Sequence, residues 1–525
     1  MNTQEALQQY FGHASFRPGQ EALIDALISG RDALGIMPTG GGKSICYQLP
    51  ALVLDGVTLV ISPLISLMKD QVASLVQSGI AAAYINSSLT ATQTTEALRR
   101  AEEGRYRIIY VAPERLHTPR FQQMVAKQTI AMVAVDEAHC VSQWGQDFRP
   151  EYLQIRAFLE ALPARPVVGA FTATATQRVR EDIGDLLGLR TPYVCVTGYD
   201  RPNLYFEVRQ PKQRDDELLS LLNTRRHESG IVYCATRKNV DRVCNMLRAD
   251  GHAAARYHAG LPDDLRQAAQ DDFQHDRAQV MVATNAFGMG IDKSNVGYVI
   301  HYNMPRNLES YYQEAGRAGR DGSRADCILL YAKQDVVLGR WMIDHTQNNP
   351  DMTQEQRDVV RTSELDRLKQ MTWYATGRNC LRRTILAYFG EHIGERCGNC
   401  STCNGPSPLA ALVKASKAVS RREEPTFAAL RLLRNTIAKN LRVPAYVVLT
   451  DATLRDMAER QPRDLTSFLQ VSGIGEVKCR RFGPAFLHLL QQLADRGTAG
   501  ATATELTALT QEAALLADRG RTGAR

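Results

Sequence analysis

Between residues 33 and 330, short apolar runs rich in β-branched residues recur in series, each followed by a stretch with helical periodicity. ALGI, GVTLVIS, RIIYVAP, TIAMVAVDEAH and PVVGAFTATAT form a first series within residues 20–200. GIVYCAT, AARYHAG, QVMVATNAFGMGID, GYVIHYN and CILLYA form a second, ending near residue 333. A strand that is apolar throughout has both faces buried, and a helix between successive strands supplies the crossover that a parallel pair requires. The chain is therefore expected to be α/β, with two parallel-sheet domains in tandem. Its 525 residues exceed what one hydrophobic core holds.

Beyond residue 353 the pattern turns helical, with Leu365, Leu368 and Met371 at helix spacing ahead of a group of cysteines. NGPSPLAALVKASKAVSRREEP reads as a linker with a basic end. Leu430, Leu433 and Ile437 then share one helix face in a small all-helical domain. The expected divisions are 1–205, 206–345, a cysteine-bearing module 346–407, a linker 408–423, the helical domain 424–498, and a disordered tail 499–525 rich in Ala, Thr and Arg.

A net charge of +7 with 44% hydrophobic and 23% charged residues is an ordinary globular composition, mildly biased toward a polyanionic partner. No apolar run of about 18 residues appears. MNTQEALQQY lacks a basic-then-apolar leader, so a cytoplasmic protein without a membrane segment is expected. Seven of the eleven cysteines stand singly, as Cys195 in YVCVTG, and read as buried thiols.

MPTGGGKS (37–44) lies between an apolar run and a helical one. Thr39, Gly40, Gly41 and Gly42 would let backbone N–H groups curl round phosphate oxygens, with Lys43 charging the β/γ-phosphates and the Ser44 hydroxyl on Mg²⁺. A flexible glycine turn is the bland alternative. VAVDEAH supplies the complement: Asp136 at a strand end holds Mg²⁺ and Glu137 orients and deprotonates the attacking water. Together the two motifs point to nucleoside triphosphate hydrolysis. In YYQEAGRAGRDG, Gln313, Arg317 and Arg320 follow helical spacing, and an arginine facing a γ-phosphate stabilises charge that develops in the transition state. Solvated arginines are the alternative there.

Cys380, Cys397, Cys400 and Cys403 form C-x16-C-x2-C-x2-C, a spacing that suits a tetrahedral Zn²⁺ held by thiolates. An iron–sulfur cluster takes the same ligands.

FRPGQ, MPTGGGKS, SPLISLMKDQV, APERL, DEAH, FTATAT, YHAGL, ATNAFGMGIDK and QEAGRAGRDG, in this order, resemble the RecQ family of superfamily 2 DNA helicases. The likeness runs over residues 11 to about 403 and returns in the helical domain, where LRVPAYVVLTDATLRDMAERQP and VSGIGEVKCRRFG resemble an HRDC domain. It implies two tandem RecA-like domains, a helical zinc-binding module and a small all-α HRDC domain, requiring ATP, Mg²⁺ and Zn²⁺. The implied activity is a 3′-to-5′ DNA helicase of recombination, repair and replication, acting on single-stranded and forked DNA near the bacterial nucleoid. A single-strand-binding protein is an expected partner, and a monomer is favoured.

By the same resemblance Arg17 and Gln20 recognise adenine, and His13 stands where the family commonly stacks an aromatic ring, which implies weaker nucleotide binding. Gly290 and Asp292 bridge the second lobe to nucleotide and DNA, and Thr172 with Thr174 couples the nucleotide site to DNA. SQWGQDFRPEYLQI resembles the aromatic-rich loop, with Trp144 and Phe148 meeting bases and Arg149 meeting phosphate or carboxylates. Gln146 stands there where the family usually has His, which implies looser coupling. In the helical domain Tyr446 is a candidate base-stacking residue and Lys478 a candidate phosphate contact, with a packed Tyr446 and solvated basic residues as the alternative. The family's winged-helix domain of about 100 residues has no room between Cys403 and the helical domain. A DNA-stimulated translocase with weak unwinding, and a non-catalytic DNA-binding or annealing protein, are the rival readings.

Overall fold

Every apolar run named above forms a strand, and three further strands join them. The computed structural model describes residues 2–145, 148–287, 293, 295–345, 354–405, 425–441, 443–496 and 503–519. Gln146, Gly290, Asp292 and the expected linker 408–423 lie outside these residues. The chain divides into two units: one joins residues 1–198 to the C-terminal helical domain, and the other runs from Tyr199 through the cysteine module. The expected boundary at residue 205 is thus corrected to Gly198/Tyr199, because Leu204 and Tyr205 already belong to a strand of the second sheet.

The first unit holds a seven-stranded sheet: β1 (Ala33–Ile36), β2 (Val57–Ile61), β3 (Ala82–Ile85), β4 (Ile108–Val111), β5 (Ile130–Val135), β6 (Val167–Thr172) and β7 (Tyr193–Val196). The order is β3-β4-β2-β5-β6-β1-β7, with every pairing parallel. β1, β2, β4 and β6 are buried at every residue, as helix-covered strands must be. The edge strand β7, also apolar in sequence, is half-buried at Tyr193 and Cys195 and exposed at Val194 and Val196, so the Cys195 thiol expected to be buried is only half so. Since β5, β6 and β1 are neighbours, the loops at their C-terminal ends meet at one rim of the sheet, where open α/β sheets bind ligands.

The second unit holds β8 (Leu204–Arg209), β9 (Ser229–Tyr233), β10 (Ala254–Tyr257), β11 (Val280–Ala283), β12 (Val296–His301) and β13 (Ala325–Leu330), in the order β10-β11-β9-β12-β13-β8 and again all parallel. Helices Lys333–His345 and Gln354–Thr376 lead from this sheet to the cysteines.

In the C-terminal domain, helix Pro425–Leu441 buries Leu430, Leu433 and Ile437, the face expected from spacing. The tail expected to be disordered is corrected: Ala503–Arg519 is a helix, and Leu509, Ala513, Ala514 and Ala517 enter the same core as Leu430 and Leu489. Its burying face is built mainly from alanine, which gives a weak hydrophobic signal yet allows close helix packing. No described helix is long and apolar enough to cross a membrane.

Candidate nucleotide and DNA site

β1 continues one hydrogen bond past its end, Met37 N–H donating to the Thr172 carbonyl of β6 at 3.0 Å, and then the chain turns back so that Gly41 N–H donates to Pro38 O at 2.8 Å. Gly40 and Gly42 sit at φ of 82° and 83°, where a side chain is strained. At Gly42 a β-carbon would also fall 2.4 Å from Gln20 Nε2. That amide donates to Gly42 O at 3.1 Å and accepts from Arg17 N–H at 2.8 Å, while the Arg17 guanidinium donates to Gly40 O. Arg17 and Gln20, assigned above to adenine, therefore also brace the glycine loop, and Gln20 is only 2% exposed. Its amide keeps one N–H and one lone pair for a base edge. Lys43 folds over the loop, Nζ donating to Met37 O at 3.4 Å, and Ser44 follows it in the first turn of helix Lys43–Gln48.

Asp136 leaves β5 with its N–H on Ile61 O at 2.9 Å, its carbonyl held by the buried Tyr152 hydroxyl at 2.9 Å and its carboxylate accepting from Glu137 N–H at 3.0 Å. Glu137 has φ 48° and ψ 46°, a left-handed backbone that costs a non-glycine residue on the order of 1 kcal/mol. Its Oε2 is buried with no hydrogen bond, 3.3 Å from His139 Nδ1. His139 Nδ1 lies 2.9 Å from Thr172 Oγ1, which in turn donates to Thr174 O at 3.1 Å. A continuous polar path thus runs from the carboxylate after β5 to the TAT segment after β6. His139, with no role assigned from sequence, is its middle member and is 1% exposed.

In the aromatic-rich loop, Trp144, Phe148 and Arg149 are all half-buried. The Arg178 guanidinium lies over the Trp144 ring at 3.6 Å, occupying one face of the ring expected to meet bases. Arg149 donates to Pro63 O at 3.3 Å. Arg178 carried no sequence signal beyond an exposed basic position on helix Gln177–Leu187.

The second unit corrects the expected helix through Gln313, Arg317 and Arg320. Helix Leu308–Ala315 carries Gln313 but ends at Gly316, and both arginines occupy the turns that follow. Past the helix end Arg317 and Ala318 N–H donate three residues back, to Glu314 O at 3.3 Å and Ala315 O at 3.1 Å, and Gly319 at φ 56° keeps the helix from resuming. Two residues that sequence reasoning missed hold this turn: Arg201 donates to the carbonyls of Gly316, Ala318 and Gly319 at 3.3, 3.0 and 2.8 Å, and Asn203 donates to Gly319 O at 2.9 Å. The available signal was DRPN, a charged and polar cluster directly ahead of β8.

The four cysteines converge as expected, with their sulfurs within 4.8 Å of one another. Cys400 Sγ and Cys380 Sγ are 3.9 Å apart, close to the roughly 3.8 Å edge of a tetrahedron built on Zn–S bonds of about 2.3 Å. Backbone N–H groups already point at two of the sulfurs, Arg383 at Cys380 (3.5 Å) and Asn399 at Cys397 (3.3 Å), as a thiolate set requires. The residues fit zinc. Cys380 caps helix Leu381–Tyr388 while Cys400 bridges Phe206 of β8, so a bound ion would tie helix, loop and sheet together.

Tyr446 and Lys478 do not form an open nucleic-acid face. The Tyr446 hydroxyl donates to Asp70 of helix Ile65–Gln77 at 2.8 Å, and Lys478 is near enough to His13 to lower its pKa. The expectation of a free stacking surface is corrected accordingly: this side of the helical domain is packed on the first α/β domain.

Comparison with known families follows the same divisions. Residues 17–183 match the DEAD/DEAH box helicase model, 213–322 the helicase conserved C-terminal domain, 333–404 the RecQ zinc-binding model and 423–490 the HRDC domain. The ATP-dependent DNA helicase RecQ of Bacillus subtilis is 37% identical over 94% of this chain and 98% of its own length. The protein of the same name from Haemophilus influenzae is 35% identical over 93% and 95%. A Mycobacterium smegmatis helicase Lhr structure bound to ssDNA and AMP-PNP shares the fold, with a TM-score of 0.51 at 20% identity over 64% of this chain and 48% of that one. Loops, acids and cysteines as described, with relatives at this identity over nearly the whole length, mean that the chain belongs to the RecQ family of ATP-dependent DNA helicases.

Proposed function

We propose that this helicase moves 3′ to 5′ along a single DNA strand, driven by Mg²⁺-dependent ATP hydrolysis, and serves recombination and repair in the bacterial cytoplasm at the nucleoid. The observation that carries the reading is Glu137, held left-handed with a buried, unbonded carboxylate oxygen and joined through His139 to Thr172 and Thr174. A carboxylate so placed takes the proton of the attacking water, and its path to the TAT segment gives a strand contact a route to the base. Lys43 charges the β/γ-phosphates, while Ser44 and Asp136 would hold Mg²⁺, which offsets phosphate charge when bound. Gln313, Arg317 and Arg320 serve the transition state, with the Arg201 clamp fixing the turn that carries both guanidiniums. His13, Arg17 and Gln20 face the adenine, and Gly290 and Asp292 complete the nucleotide-binding set. Trp144, Gln146, Phe148 and Arg149 meet the strand, Trp144 exchanging the Arg178 guanidinium for a base.

One observation favours weak duplex opening as a second reading. The alignment with the Bacillus relative spans 591 positions against 525 residues here, and only residues 405–422 separate the zinc-binding and HRDC matches. A winged-helix domain of about 100 residues does not fit there. Unwinding of 3′-tailed and 5′-tailed duplexes beside strand-stimulated ATPase tests both readings. Opening of the 3′-tailed duplex alone is expected; ATPase without opening of either selects the translocase, and opening of the 5′-tailed duplex alone overturns the polarity.

A further inference from the structure

The C-terminal helical domain interlocks with the first α/β domain backbone to backbone. Gly473 N–H donates to Gly12 O at 2.9 Å. A β-carbon on Gly12 would lie 2.4 Å from the Ile474 backbone, and one on Gly475 would lie 2.4 Å from Gln9 O. Glycine is needed on both sides because two main chains touch. Around this point the Tyr446 hydroxyl donates to Asp70 at 2.8 Å, Arg481 donates to Gln77, and Val477 packs on Gly79. Ile474 at the centre is 1% exposed.

The segment gripped in this way, residues 9–12, runs directly into His13. His13 has its pKa pushed down to about 4 by burial and then by Arg17 and by Lys478 of the docked domain. At neutral pH it is therefore an uncharged ring, the form suited to stacking on a purine. Arg17 and Gln20, a turn further on, brace Gly40 and Gly42 of the phosphate loop. Three pieces of structure are thus in register: the turn 473–475 meets the segment 9–20 main chain to main chain, and the side chains of Arg17 and Gln20 hold that segment on the carbonyls of the glycine loop.

We propose that the C-terminal helical domain is a working part of the nucleotide site: its Gly473–Gly475 turn holds residues 9–13 so that His13 is presented to the purine of ATP, and docking sets how tightly the nucleotide is held. The proposal rests on the adenine-end assignment of His13, Arg17 and Gln20 made above. By linkage, a nucleotide that prefers the docked form tightens docking by the same factor.

Gly475 has an ordinary φ, so Gly475→Ala leaves the local backbone relaxed and strikes the Gln9–Tyr10 main chain, Gln9 O most closely. The full-length variant is compared with the parent by hydrogen exchange over residues 7–13 and 471–478 and by steady-state ATPase on saturating single-stranded DNA. Both segments are expected to lose protection together, with KM for ATP rising about fivefold and kcat within about twofold, the signature of lost uniform binding. A Tyr446→Phe, Arg481→Ala double variant, which spares the turn, moves the same readouts in the same direction by less and covers the case in which Gly475→Ala fails to fold. Protection that persists in Gly475→Ala, or protection lost with KM unchanged, overturns the proposal. His13→Ala separates the two layers: a KM insensitive to His13→Ala sinks the base assignment itself, whereas a KM that rises in His13→Ala but not in Gly475→Ala leaves that assignment standing and removes the domain's part in it.

Discussion

With β7 set aside, the two sheets have the same strand order, β8 standing in the place of β1, β9 of β2 and β12 of β5. The loops after β1 and β8 nevertheless differ in kind. After β1 come MPTGGG and a helix that begins at Lys43 with Gly42 at its N-cap, no side-chain cap and no acid in its first turn. After β8 come QPKQ and helix Arg214–Asn223, whose first turn carries Asp215, Asp216 and Glu217. Both helix ends present partial positive charge; one is left for phosphate and the other is met by its own carboxylates. Asp215 is further bound by Arg242 at 2.6 Å and by the Tyr302 hydroxyl at 2.9 Å. The next pair repeats the contrast. β5 ends on Asp136 and Glu137 with one carboxylate oxygen unbonded, whereas β12 ends on His301, whose Nε2 is tied to Glu314 at 2.8 Å. A repeated fold does not repeat chemistry: the first unit's strand ends carry a glycine loop and a carboxylate with an available oxygen, whereas the second's carry a helix with acids in its first turn and a histidine held by Glu314 through Nε2, its Nδ1 without a hydrogen bond.

The comparison breaks if turnover survives the loss of those available groups. Glu137→Gln removes the base and keeps the shape, so kcat is expected to fall by about 10²- to 10⁴-fold with ATP binding retained, read by steady-state ATPase beside nucleotide titration. Full turnover in this variant would assign the water to another group. Lys43→Ala removes the phosphate charge and the contact to Met37 O, and is expected to lower kcat/KM by about 10²- to 10³-fold with ATP binding itself weakened. The division of effects, kcat alone for Glu137 and affinity as well for Lys43, is the sharper result. Equal losses of affinity in both variants would mean that Glu137 also holds the nucleotide.

Much of this was legible in the chain because the relevant signals are local. A strand buried on both faces, a glycine loop before a helix and a pair of CxxC steps each declare themselves within a few residues, and all three stand where expected. Contacts made at long range left weaker marks. Arg201 and Asn203 act on a turn more than a hundred residues away, at Gly316 to Ser323, and the polar cluster DRPN marks a site without saying which turn it holds. Gly316 and Gly319, each costly inside a helix, were a local sign against a helix through both arginines; the helix ends at Ala315 and Gly319 is left-handed. Tyr446 and Lys478 read as a nucleic-acid face because an aromatic beside basic residues looks the same whether it meets DNA or Asp70 of another domain. The alanine-rich tail hid a packed helix for a related reason: small side chains bury little area each, so helix 503–519 joins the core through a stripe made mostly of alanine.

The smallest expected effect tests the second unit's side of the comparison. The Arg242 hydrogen bond, more than burial opposes it, holds the Asp215 carboxyl below its usual range. A carboxylate with a depressed folded pKa stabilises the fold above its ordinary value and loses that contribution as pH falls through the folded one. Asp215→Asn should therefore cost about 0.5–1 kcal/mol at pH 7, discounted because the side chain is 40% exposed, and the gap from the parent in urea midpoint should narrow toward pH 3. Removing all three first-turn acids, Asp215→Asn with Asp216→Asn and Glu217→Gln, asks a harder question in the Lys43→Ala background. If counter-charge alone distinguished the two helix ends, the second unit would now take up a fluorescent ATP analogue. None is expected to bind, because QPKQ puts Pro211, which has no N–H, where the first unit has a run of glycines free to turn their amides inward. Binding in that variant would show that the cradle of main-chain N–H groups matters less than the charge beside it.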